Sequence, residues 1–386
     1  MGSIQLAPAT IDVLGYAPEL VRSPAQALER FAADNPSHPY AHVGEKGVRA
    51  ALEWFVPRAG VLSYRGRMED NLVLASAVGA LRPTAVAPAA AAAGDLRSAS
   101  RVAIVGWRAL KDFYADYLAD NLPRSAAAAG IEVAARAIEV EVPNEAGVDV
   151  SPLGFARRFE DPAWRRRLEA ELAGRLRAED AVGFPAVLGL DRHLEVWREL
   201  QESLGTRVFE IPTLPPSVPG LRLYRVLKSA LRAAGARLFI GTPVAGARTT
   251  DGRIGSVLVR TAARDEPVAA QQFVLASGGW ASGGIQLDSH WRAVETIFGL
   301  PVAGVPAPGE PRLLPDYFDD HPLARAGVAT DDELRPLGPD GAPAYANLRV
   351  AGATLAGARP WHEKSGDGIS LSTGFAAARA IVEEQR

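Results

Sequence analysis

From position 101 onward, short apolar runs alternate with stretches in which apolar residues recur every three or four positions. The runs "RVAIVG", "IEVAARAIEVEV", "AVGFPAVLGL" and "TRVFEIP" predict strands, and residues 109–122 predict a helix between the first two. This alternation is the grammar of an α/β fold, in which crossover helices join strands of a parallel sheet. The clearest helix is "DPAWRRRLEAELAGRLRAED". Asp161 stands at the N-cap, Pro162 at the first helical position, and Trp164, Leu168, Leu172 and Leu176 share one face, which leaves the arginines an expected place in solvent.

Residues 212–223, "PTLPPSVPGLRL", cannot form a ladder strand because proline lacks an amide donor. They predict an ordered loop leading into a helix near Gly220. Next, "ARLFIG", "TPVAGARTTDGRIGSVLVRT" and "VAAQQFVLASGG" predict a strand, a hairpin turning at Asp251-Gly252, and another strand. After a proline-rich excursion over 300–341, "AYANLRVAGA" predicts a last strand and residues 366–384 a last helix. The first hundred residues read as irregular, with turn signals at Asn35-Pro36, His38-Pro39 and Arg82-Pro83. They close on the alanine run "PTAVAPAAAAAGD", either a surface connection near a domain boundary or a short helix.

Composition narrows the function. A chain of 386 residues that is 48% hydrophobic and 23% charged has enough apolar matter for two packed domains. A formal charge of -3 provides no broad basic field, so nucleic acid is not an expected partner. The absence of cysteine excludes disulfides, thiolate nucleophiles and cysteine-ligated iron-sulfur clusters, so electrons must move through an organic cofactor or a partner. No window reaches the roughly 18 apolar residues of a membrane span, and "MGSIQLAPATIDVLGY" has no signal-peptide pattern, so the expected location is the cytoplasm without direct membrane insertion. No phosphate-binding loop, nucleophile elbow or H-E-x-x-H motif occurs, and the six histidines show no metal-ligand spacing.

What remains is a set of glycine-marked strand ends. "FVLASGGWASGG" runs a strand into Gly278-Gly279, and "NLRVAGATLAG" ends another at Gly352, with Gly357 in the loop beyond. Glycine there either lets a ligand approach the backbone or simply makes a tight turn, and open α/β sheets bind ligands beyond the carboxyl ends of their strands. In "EKSGDGISLSTGFAAARAI", Ser365, Gly366 and Gly368 open a helix, whose free amides and positive dipole end suit an electron-rich ring edge.

With these segments in view, the chain resembles the B subunit family of anaerobic, quinone-linked glycerol-3-phosphate dehydrogenases, among the fumarate-reductase-like flavoproteins. The resemblance runs in order through "ATIDVLG", "NPSHPY", "IPTLPPSVPGLRL", "FVLASGGWASGG", "GVATDDELRP" and "NLRVAGATLAG". It implies an FAD/NAD(P)-binding, Rossmann-like flavoprotein fold with an inserted second α/β domain: 1–95 as the N-terminal part of the flavin domain, 96–215 as the insertion, and 216–386 as the main flavin domain with a cap excursion at 300–341. It implies FMN (or FAD) as cofactor, a catalytic A subunit and a membrane-bound iron-sulfur C subunit as partners, and oxidation of sn-glycerol 3-phosphate to dihydroxyacetone phosphate with electrons passed to quinone. Through that complex the chain would sit peripherally at the inner membrane. Two other readings stay open: a non-catalytic assembly subunit of the same complex, and a free-standing flavin oxidoreductase acting on another small hydroxy compound.

On this reading Ser277, Gly278, Gly279, Gly352, Gly357, Ser365, Gly366 and Gly368 line the flavin. A phosphate monoester calls for guanidinium or ammonium groups and an alcohol oxidation for a base. That makes Arg325 and Arg359 the substrate-binding candidates and His362 and Lys364 the catalytic ones. The chain departs from the family at the front, where the resemblance implies a strand and a glycine-rich phosphate loop, yet no G-x-G-x-x-G occurs. Either the start is assigned too late, the expectation preferred here, or a short form depends on another chain. Phosphate contacts contribute about 1.5 to 3 kcal/mol each as charge-assisted hydrogen bonds, so losing several weakens a flavin by orders of magnitude. The 386-residue chain alone is therefore expected to purify with little or no flavin. Absorbance of the purified protein checks this, and stoichiometric flavin would refute it.

Overall fold

A computed structural model describes residues 3–141, 149–177 and 181–385. The chain divides into two compact units, one of residues 25–55 and 237–386, the other of residues 2–24 and 56–236. The segment 96–215 read as a separate insertion falls inside the second unit. The ends of two predicted elements, at 142 and 178–180, lie outside the described residues.

The second unit is built on the sheet that the apolar runs predict. Following a short hairpin of β1 (Leu72–Ala75) and β2 (Leu81–Thr84), it comprises β3 (Arg101–Trp107), β4 (Ala134–Val140), β5 (Ala181–Pro185) and β6 (Arg207–Ile211). The order is β4-β3-β5-β6 with every pair parallel. Ile104, Val105, Val182, Phe184, Val208 and Phe209 are all buried, which is why the strands read as continuous apolar runs rather than alternating ones. The first crossover helix spans Ala115–Ala128, later than predicted, because residues 107–113 turn back on themselves through the Leu110 and Phe113 amides.

The capping logic at Asp161 holds. Its carboxylate accepts the Ala163 amide at 2.8 Å, and the helix runs Pro162–Ala173. The solvated-arginine expectation fails at one position: Arg165 is buried, donating to the Phe159 carbonyl at 2.5 Å and pairing with Glu199, while Arg166 and Arg167 are exposed. The alanine run is no surface connection either. Ala89–Ala92 form a short helix with Ala89, Ala90 and Ala91 buried, since side chains this small let backbones pack closely. The first hundred residues also hold two helices, Pro24–Asp34 and Pro39–Arg58. The second is interrupted at Gly44 (φ 68°, ψ 167°), which breaks the apolar period and makes the segment look irregular. Arg82-Pro83 lies within β2 rather than in a turn.

The proline-rich segment leads into the helix Val218–Ala233, two residues earlier than expected, capped by Ser217, whose hydroxyl accepts the Gly220 amide at 3.1 Å. A Cβ on Gly220 would lie 2.3 Å from the Ile4 carbonyl oxygen and 2.4 Å from that of Ala7, so only glycine allows this approach. On the same helix Arg222 is buried against Glu210, at 2.7 and 3.0 Å, and donates to the Gly189 carbonyl at 2.9 and 2.6 Å. Burial pushes the Glu210 carboxyl up, but the Arg222 charge and the remaining donors outweigh it and hold the group below the ordinary carboxylate range.

The other unit carries an antiparallel sheet of β7 (Val244–Thr250), β8 (Arg253–Arg260) and β9 (Asp265–Ala269), with Asp251 and Gly252 at positive φ in the predicted hairpin turn. Next to it in sequence come β10 (Phe273–Leu275) and, after the excursion, β11 (Leu348–Val350), paired in parallel. The predicted strand "ARLFIG" does not form. Among the described residues no strand pairs with it, and Leu238, Phe239 and Ile240 are 40%, 60% and 66% exposed. An apolar run becomes a strand only where a neighbour offers a ladder.

The buried Arg222-Glu210 pair generates a pH prediction through its neighbour His193. The Nδ1-H of this histidine donates to the Leu188 carbonyl at 2.9 Å, and Nε2, 3.9 Å from Glu210, has no hydrogen-bond partner. Burial, reinforced by the Arg222 charge, pushes its pKa down from 6.5 to about 4, so the imidazole is neutral and the Glu210 contact is not an ion pair. Because the unfolded chain takes up the proton first, this stability is complete above pH 6.5 and is lost as pH falls toward 4. At about 1.4 kcal/mol per pKa unit the loss is about 3 kcal/mol. His193→Asn keeps the donor to Leu188 without the titration, and chemical denaturation at pH 7 and pH 4 should show the variant losing correspondingly less.

Candidate functional site

The paired strands β10 and β11 end at the same level. Leu275 faces Val350 in register, and the Ala351 amide donates to the Leu275 carbonyl at 2.9 Å. Both chains then turn outward, through Ser277-Gly278-Gly279 and through Ala351-Gly352. Gly278 and Gly352 take φ of 80° and 73°, a region that disfavours any side chain. Thr354 Oγ1 donates to the Gly278 carbonyl at 3.1 Å, joining the two exits, and the Gly352 amide donates to Thr373 Oγ1 at 2.9 Å on the closing helix, Gly366–Glu384. A Cβ on Gly279 would meet the Ala353 carbonyl oxygen at 2.6 Å.

The predicted ring-end residues therefore separate into two places. Ser277, Gly278, Gly279 and Gly352 meet at the strand exits. Gly357 instead abuts the Ser37 carbonyl, which a Cβ would approach to 2.1 Å, and the Ser365 hydroxyl is turned inward to donate to Glu363 at 2.8 Å. Gly366 and Gly368 lie in the first turn of the closing helix, where amides lack intrahelical acceptors.

The four polar candidates cluster in part. Asp320 receives Arg325 Nη2 and Arg359 Nη1, each at 2.9 Å. Burial pushes the Asp320 carboxyl up, but the Arg359 bond and charge, with those of Arg325, outweigh it and hold the group below its ordinary range. His362 follows on a short helix, Pro360–Glu363, and Lys364 ends that helix in the left-handed conformation at φ 50°.

Sequence reasoning missed the walls of the neighbouring cavity. About 600 Å³ in volume, it is lined by residues including Trp280, Leu314, Tyr317, His321 and Trp361, so it opens between the strand exit and the turn that carries Arg359 and His362. His321 folds the 314–321 loop: its Nδ1 accepts the Leu314 amide at 3.0 Å, which leaves Nε2-H to donate to the Tyr317 carbonyl at 3.1 Å. Trp280 directly follows the double glycine in "GGWASGG", the one signal that could have marked it. Ser277 Oγ, Trp280 Nε1 and His362 Nε2 are buried without a hydrogen-bond partner. Orphaned polar atoms at a strand exit and beside an aromatic cavity fit a planar ligand with polar edges, which is the chemistry of a flavin ring. Among the described residues no group of three or more His, Asp or Glu is placed to hold a metal ion.

A family model described as FAD binding domain matches residues 1–369. A protein of Halobacterium salinarum (strain ATCC 29341 / DSM 671 / R1), named as a probable B subunit of anaerobic glycerol-3-phosphate dehydrogenase, is 37% identical over 396 residues, 99% of this chain and 90% of that one. The chain belongs to this family of B subunits. A member from Pectobacterium carotovorum is 31% identical over 400 residues, 99% of this chain and 91% of its own. Another, from Vibrio cholerae, is 28% identical over 393 residues, 98% and 88% of the two chains. The flavin-binding, Rossmann-like fold implied by the resemblance is that of the family, and the cofactor class is flavin.

For a member of this flavin-binding family the Ser277 hydroxyl gives a sharp test. Since Oγ has no protein partner, Ser277→Ala should leave the melting of the flavin-free protein unchanged to within about 1 kcal/mol. If the hydroxyl serves the flavin, titration with FAD followed by fluorescence should show affinity falling about tenfold, the value of one hydrogen bond. Unchanged affinity would remove Ser277 from the site.

Proposed function

We propose that this chain is the flavin-carrying member of a complex that oxidises sn-glycerol 3-phosphate to dihydroxyacetone phosphate and passes electrons to quinone, together with a catalytic A subunit and a membrane-bound iron-sulfur C subunit. The observation that carries the substrate reading is the convergence of Arg325 and Arg359 on Asp320 beside the aromatic cavity. Two guanidiniums directed by one carboxylate keep further N-H donors for a phosphate monoester, each bond being charge-assisted. Arg359 Nε is not among them, since it is buried 3.8 Å from Glu363 Oε1.

The division of labour follows from the polar groups. Arg325 and Arg359 hold the phosphate, and His362 Nε2, which has no partner, takes the hydroxyl proton, with Lys364 adding positive charge nearby. A bound flavin supplies the acceptor for the hydride that leaves the carbinol carbon. Ser277, Gly278, Gly279 and Gly352 would hold the ring from the strand exits, while the first turn of the closing helix, at Gly366 and Gly368, offers amides to its electron-rich edge. Gly357 and Ser365 support that turn from behind. Among the described residues no helix is long and apolar enough to cross a membrane. In this reading quinone is reached through the C subunit, and this chain stays on the cytoplasmic side. Chromatography of the released cofactor decides between FMN and FAD.

Loss of a charge-assisted contact at about 1.5 to 3 kcal/mol corresponds to a factor of about 10 to 100. In the reconstituted complex, Arg359→Ala should therefore raise KM for sn-glycerol 3-phosphate by that factor. An unchanged KM would show that the phosphate is held elsewhere.

A further inference from the structure

The segment 37–40 reaches the turn 357–365 through a buried polar assembly that the oxidation chemistry does not use. His38 is buried, with its ring 5.0 Å from that of Phe31 and 4.9 Å from that of Tyr40. Its Nδ1 accepts the Tyr40 amide at 3.0 Å, so that nitrogen carries no proton and the ring hydrogen resides on Nε2. Nε2-H therefore donates to Glu363 Oε2 at 3.2 Å. The same carboxylate accepts the Ser365 hydroxyl at 2.8 Å and, through Oε1, the Arg359 amide at 2.9 Å. Burial pushes Glu363 up, but the hydrogen bonds from His38, Ser365 and the Arg359 amide outweigh it and hold the carboxyl below its ordinary range. The Tyr40 hydroxyl adds a bond to the Ser365 carbonyl at 3.3 Å.

Glu363 thus binds both ends of the four-residue helix Pro360–Glu363, the Arg359 amide in front and the Ser365 hydroxyl behind. A helix that short has no persistence of its own. Its direction, and with it the backbone position of Arg359 and the placement of His362, is set by what grips Glu363, while Asp320 holds the Arg359 guanidinium itself. The grip from outside the turn is His38.

We propose that His38 is a positioning residue for the substrate site: as a neutral Nε2-H donor it orients Glu363, and through Glu363 it fixes the turn that presents Arg359 and His362. The proposal rests on the reading of Arg359 and His362 as substrate groups. It concerns geometry alone, since no proton leaves His38 and its tautomer is set by the Tyr40 amide.

Two substitutions separate the two ring nitrogens. His38→Asn keeps an acceptor for the Tyr40 amide and loses the donor to Glu363. His38→Gln keeps a donor at the Nε2 position and loses the acceptor. In the full chain, hydrogen exchange of the Arg359 amide, which donates to Glu363, should quicken about tenfold in His38→Asn and stay near the wild-type rate in His38→Gln. In the reconstituted complex the same pair should split KM for sn-glycerol 3-phosphate, raised about tenfold by Asn and restored by Gln. A merely structural histidine would lose both properties equally in the two variants. Equal behaviour of Asn and Gln, or wild-type exchange in His38→Asn, overturns the proposal. If Arg359→Ala leaves KM untouched, the substrate reading fails by itself and the exchange comparison alone judges the positioning role.

Discussion

One buried carboxylate, Glu363, gathers donors from both ends of a four-residue helix and from a histidine 325 positions away in sequence. Everything the turn presents, Arg359 and His362 on one side and the start of the closing helix on the other, depends on that convergence. A desolvated charge is costly unless its oxygens are satisfied. Here three hydrogen bonds, each worth more to a charged acceptor than to a neutral one, recover the cost and leave the group ionised. The geometry is stiff for the same reason, because moving the turn strands a charge.

The chain uses carboxylates this way repeatedly, and the donors differ with the task. Glu160 accepts the amides of residues 190–192, the entry to the helix His193–Leu204, where the positive end of the helix favours an anion. Glu295, fully buried, caps the amides of Ile297 and Phe298 at 2.9 and 2.7 Å. Glu210 is held mainly by a counter-charge, Arg222, with one neutral donor, the Leu188 amide at 2.8 Å. Glu363 resembles the first two in its neutral donors. The arginines near it are held by another carboxylate, Asp320, which receives Arg325 and Arg359 at 2.9 Å each.

How far the sequence discloses this molecule follows from the range of each interaction. Local chemistry is legible: Asp161 before Pro162 caps its helix, Asp251-Gly252 turns its hairpin, and the apolar runs at 101–107 and 181–185 become buried parallel strands. Arg165 escapes the pattern because helical period places a residue on a face without saying what covers that face; Glu199 and the Phe159 carbonyl make its burial tolerable. Leu238, Phe239 and Ile240 escape it because pairing belongs to two strands, and a propensity describes one. The His38-Glu363 contact carries no local signal, since each residue sits in an unremarkable turn motif.

The glycines show the same limit from the other side. Those at the strand exits and in the loop beyond are explained by this chain's own backbone: Gly278 and Gly352 by positive φ, Gly279 by the Ala353 carbonyl, Gly357 by the Ser37 carbonyl. Glycine marks where a chain turns sharply, and strand exits turn sharply whether or not a ligand lies above them. What separates a binding exit from a bare one is polar atoms left without protein partners, and here those belong to Ser277, Trp280 and His362. Of these, Trp280 carries an indole whose single donor is normally satisfied when buried. Trp280 lines the cavity while its buried indole nitrogen has no hydrogen-bond partner, a pattern that glycines alone do not supply and that is visible only once the chain is folded.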